Sequence, residues 1–323
     1  MAKTLSVVIP SYNVEKYLPE ILPTFLSPEV LDDIEVLIVN DGSKDNTSKV
    51  GKEFQDKYPN TVRIIDKENG GHGSTINRGI EEAVGKYFKV VDGDDWVDTD
   101  VFIKYVNALK TLEADAVMTP FNRVNEDTGL VEPKTFTGID YNKEYKFEEI
   151  ICQLGEEYQM HSATFKTEIL KKIRKIDEHC FYVDQEYICY PFAYLNTMVF
   201  LPYAIYQYRV GNNEQSVSVA SKQRNRAMHE RVIFSIMDYW MHTEFSPNKK
   251  KFLETRICNM CARQYEIWVS MDCTPEVKKE MNAFAAKVKE TNSEVFKKIP
   301  GKKQKLLKMS GNKLLPLIKK IMK

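Results

Sequence analysis

Three carboxylates lie within four residues at Asp92-Gly93-Asp94-Asp95, directly after an apolar run. Like charges this close repel unless a cation compensates them. Hard oxygen donors suit Mg²⁺ or Mn²⁺, ions that take one or two carboxylates together with substrate phosphates. The same four residues could instead form a solvated turn capping a helix near Asp100. A second polar turn, Asn40-Asp41-Gly42-Ser43, ends another apolar run. A carboxylate there can accept a hydrogen bond from the N3–H of uracil, a donor that cytosine lacks. Asp45 and Asn46 beside it are also good helix caps. Pro10-Ser11-Tyr12-Asn13 ends a third run, and Tyr12 suits either stacking on a base or a place in the core. Glu68-Asn69-Gly70-Gly71-His72-Gly73 is a Gly-rich loop before a helical pattern. Such a loop lets backbone N–H groups approach phosphates or a sugar, although this one has neither the P-loop nor the GxGxxG spacing.

These turns need elements to hold them. Leu5–Pro10, Ile34–Asn40, Val62–Asp66 and Tyr87–Asp92 read as short β-rich runs. Helical spacing is expected between them at Val14–Ser27, Asn46–Tyr58 and Ser74–Val84, then at Asp100–Leu112. A further strand is expected at Ala114–Pro120. Strands alternating with such helices predict βαβ units and a mainly parallel α/β sheet, with its ligand at the carboxyl ends of the strands. Asn122–Thr137 is turn-rich and suits a hairpin, and Met198–Tyr208 is β-rich. Helical patterns cover Ser221–His242, Lys249–Met271 and Pro275–Lys289, the last with Thr274 as cap and Pro275 in its first turn. The expected divisions are a domain over 1–220, a helical region over 221–296 and a basic tail over 297–323.

The chain has 323 residues, 43% hydrophobic and 28% charged, an ordinary globular composition with room for two domains. Its 46 basic and 46 acidic residues cancel, which argues against a nucleic-acid partner. The cancellation is uneven. From Lys287 to Lys323 there are twelve lysines and two acids, Glu290 and Glu294, and no acid follows Val295. Leu314, Leu317, Ile318 and Ile321 recur at helical spacing among those lysines, with Pro316 in the first turn, a pattern suited to an anionic membrane surface, with a helix packed on the protein body or a disordered tail as the alternatives. The N-terminal apolar run is too short for a signal peptide and no window approaches a bilayer span, so a cytoplasmic, peripheral location is expected. Six cysteines in a chain this long fit reduced thiols, and the single Cys258–Cys261 CxxC has no second pair with which to build a zinc site.

Taken together, SVVIPSYN, NDGS, ENGGHGSTINRG and VVDGDDW, in this order, resemble the family 2 glycosyltransferases of the GT-A fold, of the bacterial cell-surface polysaccharide type. The resemblance is strong over residues 5–97 and extends to about residue 217. It implies a UDP-sugar donor, with Pro10, Tyr12 and Asn13 lining the nucleoside pocket and Asp41 reading the uracil. Asn69, Gly70 and Gly73 would border the diphosphate and sugar, and Asp92 and Gly93 would lie near the ribose. Asp94 would bind the Mn²⁺ or Mg²⁺ of the DxD motif, with Asp95 as a second metal candidate. Many relatives carry an arginine where this chain has Ile76, so Arg78 or Lys67 would supply the missing charge, or the metal would carry more of it.

The resemblance places a general base in Phe181–Tyr187, where Asp184 takes the aspartate position and Val183 replaces the usual glutamate. Glu186 is the rival, and a helix cap is the alternative role for Asp184. Tyr206-Gln207-Tyr208-Arg209 and Gln215-Ser216-Val217-Ser218 resemble an acceptor-side segment, and Met160-His161-Ser162 could face the sugar or the acceptor. The implied activity is metal-dependent, inverting transfer of a sugar from a UDP-sugar to a hydroxyl of a glycan or lipid-linked acceptor. The alternatives are a degenerate nucleotide-sugar-binding module or a nucleotidyltransferase. The latter should carry a basic Gly-rich signature near Pro10–Asn13, and none is present.

Overall fold

The computed structural model describes residues 3–211, 218–315 and 317. They fall into two compact units, residues 1–212 and 213–323.

The first unit is built on an eight-stranded sheet. Its strands are β1 (Leu5–Ser11), β2 (Ile34–Asp41), β3 (Val62–Lys67), β4 (Tyr87–Val90), β6 (Ala116–Met118), β9 (Glu144–Lys146), β10 (Ala163–Lys166) and β11 (Thr197–Phe200), in the spatial order β3-β2-β1-β4-β10-β6-β11-β9. The first four run parallel, as the alternating pattern predicts. Beyond them β10 inserts antiparallel between β4 and β6, so the sheet is mixed. A smaller sheet has the order β5-β12-β7-β8, from β5 (Trp96–Val97), β7 (Phe121–Asn125), β8 (Val131–Lys134) and β12 (Tyr206–Val210). The expected hairpin over Asn122–Thr137 is β7–β8. The run Met198–Tyr208 divides into β11 and β12, one in each sheet.

β1 and β2 are buried at every residue because both faces are covered. Leu5, Val7 and Ile9 join one core with Ile34, Val36, Ile38 and with Phe102, Tyr105 and Leu109 of the helix Thr99–Leu109. On the other face, Gly79 of the helix His72–Glu82 lies so close to Val8 that a Cβ there would meet its methyl at 2.5 Å. The helix Thr47–Lys57 packs against β3. One expected element fails. Val14–Ser27 holds only the short helix Leu18–Ile21 and a 3-10 turn at Leu22–Thr24. Pro19 and Pro23 remove backbone donors and clash with the preceding turn, which stops a continuous helix.

The second unit is helical, with Val219–Arg224, Arg226–His242, Pro247–Ser270, Pro275–Thr291, Ser293–Lys298 and Lys302–Met309. Thr274 caps its helix by accepting the Val277 N–H. Trp240, Cys258, Cys261, Trp268 and Phe284 are buried in this unit. The separate tail expected from 297 is instead partly structured. Leu307 and Leu315 are fully buried, while Lys313 and Leu314 sit in a turn rather than on a helix. Pro316, Ile318, Ile321 and the lysines after them lie outside the described residues, as do Gln215, Ser216 and Val217. No helix among the described residues is long and apolar enough to cross a membrane.

Gly85 tests the tight start of β4. A Cβ there would meet Ser6 N at 2.5 Å and the Leu5 carbonyl carbon at 2.7 Å, and backbone atoms cannot rotate away. Gly85→Ala is expected to lower unfolding free energy by about 1–3 kcal/mol, read as a reduced urea midpoint.

Candidate active site

Chain order reverses beside β1. The chain runs β1, β2, β3 to one side and returns to β4 on the other, so the carboxyl ends of β1 and β4 form a crevice. Tyr12–Asn13, Asp41 and the Asp92–Asp95 turn all leave the sheet at this end. Pro10 is buried in β1 against Val39. Tyr12 is 51% exposed, which leaves its ring available for stacking and removes the core reading. Asn13 adopts a left-handed φ of 55° and ties this loop to the next one. Its N–H donates to Ser43 Oγ at 2.9 Å, and its Oδ1 accepts from Lys44 N at 2.8 Å.

Asp41 is buried and already occupied. Oδ1 accepts from Gly70 N and Lys67 Nζ, both at 2.8 Å, and Oδ2 accepts from Gly71 N at 2.8 Å. Asn69 Nδ2 donates to the Asp41 carbonyl at 2.8 Å. The carboxylate therefore shapes the Gly-rich loop. Oδ2, with one bond given, keeps capacity for one more donor. Lys67 also reaches Ser74 Oγ at 2.8 Å and is the cation at this loop. Arg78 is turned elsewhere, paired with Glu82 at 2.6 Å, because the two share a helix face four residues apart. Ile76 is fully buried in the core.

Two of the loop's glycines answer to packing. A Cβ on Gly70 would meet Ser74 Oγ at 2.7 Å, and one on Gly73 would meet the Asp177 carbonyl at 2.1 Å. A strap, residues 176–180, lies across the loop. Asn77 holds it at both ends of one residue, donating to the Ile176 carbonyl at 2.8 Å and accepting from Ile176 N at 3.0 Å. His179 N donates to Gly70 O at 2.5 Å. Nothing in the spacing of the Gly-rich motif points to a segment a hundred residues later.

The strap leads to the helix Asp184–Cys189. Glu186 is fully buried and accepts the Asp177 N–H at 2.7 Å, so it fastens the strap. Asp184 sits at the helix N-terminus, partly exposed, with Gln185 Nε2 donating to it at 2.7 Å. It lies close enough for its charge to favour protonation of both His72 and His161.

His72 Nε2 meets Asp92 Oδ1 at 3.0 Å. Burial opposes a charge on His72, but the hydrogen bond and charge of Asp92, with Asp184 and Asp41 further off, leave its pKa raised. Burial likewise opposes charge on Asp92, and His72 reverses that and holds the carboxyl below its usual range. Asp94 has no such hydrogen-bonded partner among the described residues. Burial and the Asp92 charge push it up to about 6. Asp95 is almost wholly buried and is gripped by β12. Tyr206 Oη donates to Oδ2 at 2.6 Å, and Arg209 N donates to Oδ1 at 2.7 Å. Burial and the neighbouring Asp94 and Asp92 raise its pKa well above normal. Gly93 permits the fold of this turn, since a Cβ would meet Pro10 O at 2.7 Å.

In the Tyr206–Arg209 segment, expected near the acceptor side, two residues hold the acidic turn. Arg209 also donates through Nε to Asp94 O at 2.8 Å and is paired with Glu20 and Glu126, each at 3.1 Å. His161 stacks on Tyr208 at 4.4 Å and Phe121 at 5.1 Å, with Tyr206 edge-on. Its Nδ1 is buried without a hydrogen-bond partner among the described residues. Among the described residues, Asp92, Asp95 and His161 offer ligand atoms within 4.8 Å of one another. Carboxylate oxygens with an imidazole nitrogen suit a divalent cation such as Mn²⁺, so these residues fit one. The set differs from the expected pair. His161 enters it, and Asp94 stands beside it. Beneath His161, Lys89 is fully buried in β4 and donates to the His161 carbonyl at 2.8 Å and that of Ala163 at 3.3 Å. A lysine inside an apolar strand was the signal for it.

The glycosyl transferase family 2 model matches residues 6–183, more than half of the chain. This chain belongs to that family. It is 33% identical over 133 residues to the uncharacterized glycosyltransferase EpsJ of Bacillus subtilis, a match covering 41% of this chain and 38% of EpsJ. It is 29% identical over 241 residues to the minor teichoic acid biosynthesis protein GgaB of Bacillus subtilis, covering 71% of this chain and 26% of GgaB. The matches thus span well under two thirds of those relatives' own length. Among solved structures, Staphylococcus aureus TarS 1–349 in complex with UDP-GlcNAc has a TM-score of 0.71 at 18% identity, covering 98% of this chain and 89% of that one. The mannosyltransferase PcManGT of Pyrobaculum calidifontis, in complex with GDP-Man and Mn²⁺, has a TM-score of 0.54 at 13% identity, covering 97% and 87%. The fold is GT-A, as the sequence motifs imply.

Tyr206 tests the grip on Asp95. Its hydroxyl donates to Asp95 and accepts the Asp92 N–H at 3.2 Å. Tyr206→Phe leaves both groups short of a partner and is expected to destabilise the protein by about 1–3 kcal/mol, measured by chemical denaturation.

Proposed function

We propose that this chain is a metal-dependent, inverting glycosyltransferase that moves a sugar from a UDP-sugar to a hydroxyl of a glycan or lipid-linked acceptor. The observation that carries the reading is the convergence of the acidic turn, the Asp41-held loop and Asp184 at one end of the parallel strands. Tyr12 offers an exposed ring for the uracil face, and Asp41 Oδ2 can accept the N3–H. Lys67, beside the loop, places positive charge near the diphosphate.

Asp184 is the proposed base. The acceptor hydroxyl must lose its proton as it attacks the anomeric carbon, so an accessible carboxylate is needed within reach. Asp184 is partly exposed at the site, whereas Glu186 is sealed inside and bound to Asp177 N, which favours Asp184. One in-line displacement inverts the anomeric centre, so no second carboxylate has to act as nucleophile. A divalent cation held by Asp92, Asp94, Asp95 and His161 would offset the charge that builds on the leaving diphosphate. UDP-GlcNAc is the first donor to test, because the similar TarS structure holds it.

Asp184→Ala is expected to lower kcat by at least about a hundredfold while UDP binding, read by thermal shift with Mn²⁺, is unchanged. Glu186→Gln should retain turnover within about tenfold of the parent rate, since it touches no reacting group. Full transfer after removal of both Asp94 and Asp184 would sink the assignment. Chelation should abolish UDP release from a UDP-sugar and a crude lipid acceptor, and Mn²⁺ should restore it. Metal-dependent UDP binding with no turnover on any acceptor would favour a binding module.

A further inference from the structure

The helix Lys302–Met309 is held to the second unit along one side only. Leu307 is fully buried, and Gln304 donates to Ala262 O at 3.4 Å. Lys308 turns inward, donating to the carbonyls of Phe296 at 2.7 Å and Ile299 at 3.2 Å. The opposite side is exposed. Leu306 and Met309, three residues apart, share it with Lys302 and Lys305, and Lys303 flanks it. Met309 is 76% exposed. Beyond the next turn Lys313 and Leu317 are exposed as well, the turn being fastened by Asn312 Nδ2 to Asn282 Oδ1 at 2.9 Å. The sequence contains no acid after Glu294, so nothing within this stretch neutralises these lysines.

We propose that this face, built on Lys302, Lys305, Leu306 and Met309, seats the protein on an anionic lipid surface. Charge complementarity selects the occupant. A patch of lysines with two large apolar side chains between them suits negative headgroups with acyl chains just below. The apolar tips enter while the lysines remain at headgroup level. A second copy of this chain would bring the same lysines against one another, a repulsive contact. The surface rests on its own residues. Its use, bringing the site to a lipid-linked acceptor, rests on the transferase reading above.

Deleting residues 297–323 is a poor test, because it strips Leu307 and Leu315 from the core. Point variants of the full chain avoid this. Co-sedimentation should show binding to vesicles of phosphatidylcholine mixed with phosphatidylglycerol and little binding to phosphatidylcholine alone. The triple variant Lys302→Glu, Lys303→Glu, Lys305→Glu should bind the mixed vesicles at least about a hundredfold more weakly. The double variant Leu306→Ser, Met309→Ser should bind about tenfold more weakly or worse. Thermal unfolding and UDP binding should be unchanged in both. Undiminished vesicle binding by the triple variant overturns the proposal. So does a wild-type dimer, seen by light scattering, that becomes monomeric in the double variant, since that assigns the face to self-association. Absence of UDP binding by the wild-type chain overturns the transferase reading and leaves the lipid surface standing.

Discussion

Everything at the crevice depends on crowding three carboxyl groups into one turn and then burying them. Two carboxylates with oxygens within 4.8 Å repel by about 3 kcal/mol at the effective dielectric of a protein interior. That is roughly two pKa units, enough to force a proton onto one of them. The three groups divide the problem. Asp92 is kept ionised by His72. Asp95 is held by Tyr206 and the Arg209 N–H, yet its pKa is still raised. Asp94, up at about 6, has the least support. A cation would relieve all three at once. β12 grips the turn through the Tyr206 hydroxyl and the Arg209 N–H and so holds the crowded carboxyl groups in place.

The second constraint is the backbone of the Gly-rich loop. Asp41 folds it by accepting two successive N–H groups and the Lys67 ammonium. The strap over residues 176–180 then closes on it through Asn77, Gly70 and the place where Gly73 lacks a side chain, which the Asp177 carbonyl fills. The strap is fastened in turn by Glu186, two residues after Asp184. The position of Asp184 is thus set by the same contacts that set the loop. The Gly-rich loop and its helix are joined to the segment leading to residue 184 by buried hydrogen bonds to main-chain groups, which hold position more tightly than exposed side-chain pairs.

Much of this was legible in the sequence. Four ordered motifs and alternating apolar runs point to the parallel strands and to the end of the sheet where the site lies. Proline positions mislead less than the apolar spacing did at Val14–Ser27, where Pro19 and Pro23 decide the outcome. The harder cases are residues whose partners are distant in the chain. Asp95 reads as a metal ligand from its neighbours, and a tyrosine and an arginine more than a hundred residues away also hold it. Asp41 reads as a base-recognition group, and its first task is to shape the loop. Arg78 is drawn to Glu82 because a helix places the two on one face. In each case local spacing names the residue and tertiary pairing sets its role.

Lys89 shows how such pairing can be robust to charge. Burial lowers its pKa to about 7, so near neutral pH it passes between ammonium and amine. An ammonium has three N–H donors and a neutral amine has two. The His161 and Ala163 carbonyls need two. Either form can therefore satisfy both acceptors, and the main chain under His161 is held without requiring a permanent charge in the core. A methionine of similar length could fill the space but could donate to neither carbonyl. The lysine is thus explained by the hydrogen bonds it supplies beneath the imidazole, which its place in an apolar strand alone would not reveal.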